Sequence, residues 1–249
     1  MNELYQAVRS RRTELEKNDF IQLLADQKSD PQARLTYVPD MLFFIMGFKD
    51  ILQSLKVEDS NDPIQLEVNE HCDEDNGHWK WFLNDLDEIE VENNYLRKSN
   101  FRMFSELWSD DSYVIRDMVY ETLHFSKMAP TSAHRMIILE VIEAVFSVYV
   151  ENMTVLVNQL GKYEDWKFFG RVHYDAESGH SNGSWLDGGK KAIKVEAHMS
   201  AEDKPLALYI IHCMFDRFES MFVNWHKRQL QYMNVGEALL SDEEVKLRA

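Results

Sequence analysis

The chain has 249 residues, enough for one domain with a sizeable core or for two small domains. It carries 43 acidic and 27 basic side chains, and the formal net charge of −16 disfavours a nucleic-acid backbone or an anionic membrane surface as a partner. The two cysteines, Cys72 and Cys213, form neither a disulfide framework nor a metal pair by their spacing, and they suit a reduced cytoplasm.

Hydropathy and turn chemistry point to a helical protein. No apolar run reaches the roughly 18 residues that a membrane span needs, and the first twenty residues carry charges throughout, unlike a signal peptide. Only 9 Gly and 5 Pro are present, which favours long helices over a many-stranded sheet. The sequence therefore predicts an all-α protein, and we expect it in the cytoplasm.

The first part of the chain shows helical spacing interrupted by clear start signals. Apolar residues predict an amphipathic helix over 2–17 and a short helix around Phe20. Asp30 before Pro31 is typical of a helix start, with Pro at the first helical position. The run that begins at Met41 and continues to Leu55 is apolar on every side, which predicts a central helix.

A helix predicted over 63–86 contains the first of two similar motifs. Asp62-Pro63 gives the helix start, and the motif at 71–78 reads His-x-x-x-acid-x-Gly-His. On an α-helix, positions i, i+4 and i+7 share a face because two turns take about 7.2 residues. His71, Asp75 and His78 would therefore face one point in space. The acidic residues 87–94 that follow are predicted to be an exposed turn.

A long apolar helix follows, with two acids at its middle. We expect one helix over Phe101–Met128, interrupted near Ser109, and then a helix that starts at 130–132 and runs to about Leu160. Its sequence is apolar almost all round except for Glu140 and Glu143. A carboxylate inside a buried helix is costly unless it is paired or bound to a metal. Glu140 is the predicted bridging ligand, with Glu143 as the alternate.

The second motif repeats the first about a hundred residues later. Within a helix predicted over 166–180, His173, Glu177 and His180 have the same spacing, again with Gly before the last His. That Gly is expected to give room beside the ligands. Two imidazoles and one carboxylate with open positions are the ligand set of non-haem iron oxygenases. A single copy would fit surface histidines on a polar helix, but the repetition favours a metal site.

The remaining segments complete one predicted domain over 1–249. Residues 181–202 are predicted to be a loop that covers the site as a lid, and the last long helix is expected to run from Pro205 to about Tyr232. A peripheral tail follows at 232–249. No linker divides the chain, so we predict one bundle of about seven or eight helices. Three predicted helices hold the metal: 63–86, 132–160 and 163–181.

These motifs carry a resemblance to a known family. Asp75-x-x-His78 and Glu177-x-x-His180 are similar to the acid-x-x-His pairs of di-iron carboxylate bundles. The late His-x-x-x-acid-x-x-His, the Glu in the preceding buried helix and the early Glu-Asp-x-Gly-His-x-x-Trp-Phe-Leu resemble the haem-oxygenase-like di-iron oxidases and oxygenases. Thiaminase II and pyrroloquinoline-quinone synthase share that fold. The resemblance covers roughly residues 1–232, and the three motif segments are its specific part.

The resemblance implies a haem-oxygenase-like bundle, often dimeric, that binds two irons per chain and activates O₂. Mixed imidazole and carboxylate ligands favour iron or manganese over structural zinc. The implied substrate is a small carboxylate such as a fatty acid or an amino-acid derivative, and the implied partners are that substrate, O₂ and a second copy in a homodimer. The ligands carried over are Asp75, His78, Glu140, His173, Glu177 and His180.

The chain departs from the family pattern near the first motif. Relatives often carry Glu in place of Asp75, or a carboxylate in place of His71, so either His71 or Asp75 completes the site. Haem degradation is disfavoured because no His precedes His71. Two alternatives stay open: a non-catalytic metal- or ligand-binding bundle, and a thiaminase-like hydrolase with Cys213 as nucleophile.

Overall fold

The computed structural model describes the backbone of residues 3–92, 100–181, 195–196 and 198–247. Every regular element in these ranges is helical, with no strand among them, which confirms the all-α class. Nine of the described helices have eight residues or more, slightly above the predicted count. The helices are α1 Glu3–Leu15, α2 Asp19–Ala25, α3 Pro31–Arg34, α4 Leu42–Leu55, α5 Pro63–Asp75, α6 His78–Glu92, α7 Asn100–Leu107, α8 Tyr113–Met128, α9 Ser132–Gln159, α10 Arg171–Ser181 and α11 Lys204–Leu247.

The predicted helix starts are confirmed by side-chain caps. Asp30 accepts a hydrogen bond from the Gln32 N–H and Asp62 accepts one from the Ile64 N–H at 2.9 Å, in each case just before a Pro at the first helical position. These bonds satisfy backbone donors that have no partner inside the helix. Thr131 caps α9 in the same way.

Helix α9 lies at the centre of the described core. Its residues are buried along almost its full length, and it packs against α1, α2, α5, α8 and α11. Helix α4 packs mainly against α8, where Gly47 lies so close to Val119 that a Cβ at position 47 would be 2.5 Å from a Val119 methyl. The long-range packing therefore fixes α9, and with it Glu140 and Glu143, relative to α5.

Several predicted boundaries were wrong. Residues 87–94 were predicted to be a turn, but α6 continues to Glu92, with Ile89 buried. The last helix was predicted to end near Tyr232, but α11 continues to Leu247, so the backbone of the predicted tail is largely helical. Most of the predicted lid at 181–202 lies outside the described residues. Across the described helices, none combines the length and hydropathy needed to cross a membrane.

Both motif helices are shorter than predicted: the first is interrupted within the motif, and the second starts later. The predicted helix over 63–86 is interrupted at Asn76-Gly77, so α5 ends at Asp75 and α6 begins at His78. The predicted helix over 166–180 begins only at Arg171, and a turn precedes it. The turn follows the end of α9 and starts at Gly161. Gly161 has a positive φ of 70°, the left-handed conformation that glycine adopts readily just after the end of a helix.

Candidate metal centre

The first motif brings two of its side chains to one carboxylate of α9. The Nε2 atom of His71 lies 3.1 Å from Oδ2 of Asp75 and 3.1 Å from Oε1 of Glu143. The three residues offer ligand atoms that all lie within 4.8 Å of one another. The i, i+4 spacing within α5 explains the pair, and the packing of α5 on α9 adds the third group.

Asp75 also faces the second half of the motif across the helix break. Its Oδ1 atom lies 3.8 Å from Nδ1 of His78, while its Oδ2 atom faces His71. The two oxygens of one carboxylate are thus directed towards two different imidazoles. The break at Asn76-Gly77 therefore still leaves the three side chains of His71, Asp75 and His78 together. All three are buried.

The second motif reaches this cluster through His173. Its ring centre lies 4.5 Å from that of His78, and its exposed fraction is 2 %. Nδ1 of His173 lies 2.8 Å from the carbonyl oxygen of Phe168. A carbonyl oxygen can only accept, so Nδ1 carries the proton and Nε2 keeps its lone pair.

Of the other predicted ligands, the two acids of α9 are described with their side chains and the two residues of α10 are not. Glu143, the predicted alternate, contacts His71, whereas Glu140 is buried in α9 one turn earlier, with an exposed fraction of 2 %. Glu177 and His180 lie on the backbone of α10, but their side chains are outside the described residues. The prediction that they are ligands stays a prediction.

The two sides of the cluster differ in charge. For His71, burial lowers the pKa, but the bonds to Asp75 and Glu143 and their charges outweigh it and raise the pKa to about 11. For His173, burial is the largest effect and lowers the pKa, so this imidazole is neutral. Without a metal, the proton on His71 holds the two carboxylates together.

The donor set fits a hard or borderline divalent metal. Metal–ligand bonds of about 2.1 Å in octahedral geometry place neighbouring ligand atoms about 3 Å apart. The His71 nitrogen already lies at 3.1 Å from both carboxylate oxygens. Imidazole and carboxylate ligands suit iron and manganese, and binding would displace the proton of His71.

A largely apolar cleft opens beside the cluster. The space inside it that is wide enough for a water molecule amounts to about 30 Å³, and Asp75, Asn76, His78, Glu143 and His173 form its polar wall. Its apolar wall consists of Phe44, Ile45, Phe48, Trp79, Ile142, Phe146 and Phe168. Lys49, which lies 5.5 Å from the ring centre of Trp79, also lines the cleft and brings a positive charge to it. The cleft therefore places apolar side chains directly beside the polar wall.

Asp85, which no motif in the sequence singles out, organises the turn before α10. The carboxylate of Asp85 accepts hydrogen bonds from the N–H groups of Lys167, Phe168 and Phe169, at 3.0, 2.7 and 3.0 Å. A signal was present in the sequence, because Asp85 occupies one position of an otherwise apolar stripe. The stripe consists of Phe82, Asp85, Leu86 and Ile89, all of which are buried.

Comparison with known proteins adds no family. No family model matches the chain, and no curated protein matches it in sequence. The resemblance to the haem-oxygenase-like di-iron proteins therefore stays a prediction, and the functional argument depends on the geometry of the site.

Proposed function

We propose that this protein is a non-haem oxidoreductase that binds two iron ions, or manganese in their place, and uses O₂ to oxidise a small molecule. The observation that supports it most is the cluster of buried His71 and Asp75 with half-buried Glu143 beside an apolar cleft. Buried acids and imidazoles are costly without a partner or a metal, and the apolar cleft beside them would serve as the substrate site.

The described side chains have distinct parts in this proposal. Asp75, whose two oxygens face His71 and His78, would serve as a ligand between the two imidazoles. Glu143 would complete the position at His71, and His173 with His78 would belong to the other. Iron bound here would supply O₂ binding and one-electron chemistry, while the protein would supply ligand geometry and an apolar cleft. Glu140, Glu177 and His180 remain proposed ligands.

The cleft also supports the proposed class of substrate. Its apolar wall would hold a hydrocarbon or aromatic group, and the ammonium group of Lys49 would attract a carboxylate of the same molecule. A fatty acid or an amino-acid derivative has this combination. Replacing Lys49 by Met should then weaken carboxylate binding while leaving the metal content unchanged.

The test is anaerobic titration of the metal-free protein with Fe(II), followed by exposure to O₂. We expect about two irons per chain, and oxidation of the bound iron faster than that of free Fe(II) under the same conditions. Metal content that stays near zero would exclude the proposal. Bound iron that does not react with O₂ would favour the alternative of a non-catalytic metal-binding bundle.

Two variants decide which acid of α9 is the ligand. Glu143→Gln and Glu140→Gln change one carboxylate each on the same helix, three residues apart. Because Glu143 contacts His71, we expect Glu143→Gln to weaken the binding of at least one metal ion. If only Glu140→Gln loses metal, Glu140 is the bridging ligand as the sequence predicts, and Glu143 acts through His71 alone.

The described cleft gives no support to a thiaminase-like hydrolase. Cys213 is half-buried on α11, and neither it nor Cys72 is among the residues that line the cleft. Burial also raises the pKa of Cys72 to about 12, which keeps this thiol protonated and a poor nucleophile.

A further inference from the structure

Asp85 and His173 make hydrogen bonds to the two ends of one peptide unit. The N–H of Phe169 donates to Oδ2 of Asp85 at 3.0 Å, and the carbonyl of Phe168 accepts from Nδ1 of His173 at 2.8 Å. These two groups belong to the same planar peptide, in which the N–H and C=O bonds point in opposite directions. The order in space is therefore carboxylate, peptide and imidazole.

We propose that Asp85 is a positioning residue for His173 and acts through the peptide unit between Phe168 and Phe169. The chain of hydrogen bonds fixes both the direction of the carbonyl and the tautomer of the imidazole, so that Nε2 of His173 carries the lone pair that a metal ligand needs. A carboxylate commonly orients a metal-binding histidine by direct contact. Here a peptide is inserted between the two groups.

The charge of Asp85 has an effect beyond geometry. A negative charge at the N–H end of a peptide polarises it, so its carbonyl becomes a stronger acceptor. The stronger bond at Nδ1 makes Nε2 of His173 a more basic ligand. Asp85 is 2 % exposed, so little solvent weakens this interaction. The same burial raises the pKa of the Asp85 carboxyl, and the three N–H donors oppose that rise by stabilising the charged form.

The rest of the turn holds the same peptide in place from other directions. The main-chain N–H of His173 donates to the carbonyl of Lys167 at 3.1 Å, and that of Arg171 donates to the carbonyl of Tyr163 at 2.8 Å. On the other side, Trp166 donates from its indole nitrogen to Glu88 at 3.0 Å. Glu88 therefore provides a second hydrogen bond between α6 and this turn, but this bond goes to the side chain of Trp166 and not to the peptide unit between Phe168 and Phe169.

The decisive variant is Asp85→Asn, which keeps the shape of the side chain but removes its charge and one of its acceptor oxygens. We expect its affinity for Co(II) to fall by about 10–100-fold, with a changed visible spectrum of the bound ion. Asp87→Asn makes the same change on the exposed face of α6 and should leave both unchanged. Glu88→Ala removes the hydrogen bond from Trp166 and should lower thermal stability without changing the Co(II) spectrum.

Equal losses of affinity in Asp85→Asn and Glu88→Ala, with the same spectrum as the wild-type protein, would overturn the proposal, because Asp85 would then only stabilise the turn. A spectrum that changes in Asp85→Asn alone supports it.

A second measurement needs neither a variant of Asp85 nor a metal. In metal-free protein labelled with ¹⁵N-histidine, with the His173 signals assigned from His173→Gln, we expect the proton on Nδ1. A proton on Nε2 would overturn the proposal. The consequence for metal binding rests on the proposed function, whereas the tautomer does not. Wild-type protein that binds no Co(II) but protonates His173 at Nδ1 would therefore reject the metal site and retain the hydrogen-bond chain.

Discussion

The two histidine motifs have nearly the same sequence but are built in different ways. In the first, His71 and Asp75 lie one turn apart on α5, and a neighbouring helix brings Glu143 to them. In the second, His173 lies near the start of α10, and its ring is held by the main chain of the preceding turn. Side-chain charge therefore fixes one imidazole, and backbone geometry fixes the other. Similar spacing gives similar ligands, but the surrounding contacts decide their charge and tautomer.

The largest expected effect comes from removing the imidazole that is shared by two carboxylates. His71→Ala should lower Co(II) affinity by more than about 100-fold. Mutation of a residue that only hydrogen-bonds to a metal ligand already costs about 10–100-fold in affinity, and loss of a ligand should cost more. The affinity is measured by competition with a chelating dye. His198→Ala, at an exposed position, is the matched control. Unchanged affinity in His71→Ala would remove the first motif from the site.

The turn before α10 can be broken at one glycine. A Cβ at Gly170 would lie 2.1 Å from the carbonyl oxygen of Trp166 and 2.5 Å from that of Tyr163. Because both atoms are main chain, Gly170→Ala should lower the free energy of unfolding by about 3 kcal/mol. Urea denaturation measures this loss. If the stability stays within about 0.5 kcal/mol of the wild type, the main chain of the turn is not held tightly enough to fix the ring of His173.

Stability against pH should differ in sign between the two histidines. The folded-state pKa of His71 is raised to about 11, so its contribution is complete below the unfolded value of about 6.5 and is lost as pH rises towards 11. The pKa of His173 is lowered, so its contribution is present above about 6.5 and falls as pH decreases below that value.

Thermal unfolding of the metal-free protein at several pH values tests these signs. His71→Gln should flatten the fall of the melting temperature above about pH 6.5, and His173→Gln should flatten the fall at lower pH. A variant that retains the wild-type slope in its own pH window would contradict the charge assigned to that histidine.

The smallest effect is expected at the glycine inside the first motif. A Cβ at Gly77 would meet nothing within 4 Å among the described residues, so a missing side chain is not required there for close packing. Gly77→Ala should change the stability by less than about 1 kcal/mol and leave Co(II) binding unaltered. Chemical denaturation and the Co(II) titration provide both values. A large loss of metal would mean that the helix break needs the conformational freedom of glycine.

The sequence predicted what local rules determine. Asp62 before Pro63 predicted the start of α5, because a cap involves only neighbouring residues, and the i, i+4 spacing predicted the meeting of His71 and Asp75. The break between α5 and α6 was missed because Asn76-Gly77 was interpreted as part of a continuous ligand face, although this pair is also a common turn dipeptide.

The contacts that cross the bundle could not be predicted in this way. Phe168 and Phe169 fall inside the helix that the sequence predicts over 166–180, whereas the carboxylate that accepts from their N–H groups lies more than eighty positions earlier, at Asp85. The choice between Glu140 and Glu143 likewise depends on how α9 is rotated against α5. Helical periodicity does not give this rotation, because both acids occur on a helix that is apolar almost all round.

The hydrogen-bond partner of His173 also has a consequence for how the sequence can diverge. The acceptor is the main-chain carbonyl of residue 168, an atom that every amino acid supplies. Mutation can therefore exchange Phe168 for other apolar residues of similar volume without removing the acceptor. At position 85 the acceptor atoms belong to the side chain, so replacement of Asp85 by another amino acid would remove or displace them. In a set of diverged descendants, position 85 should retain Asp more often than position 168 retains Phe.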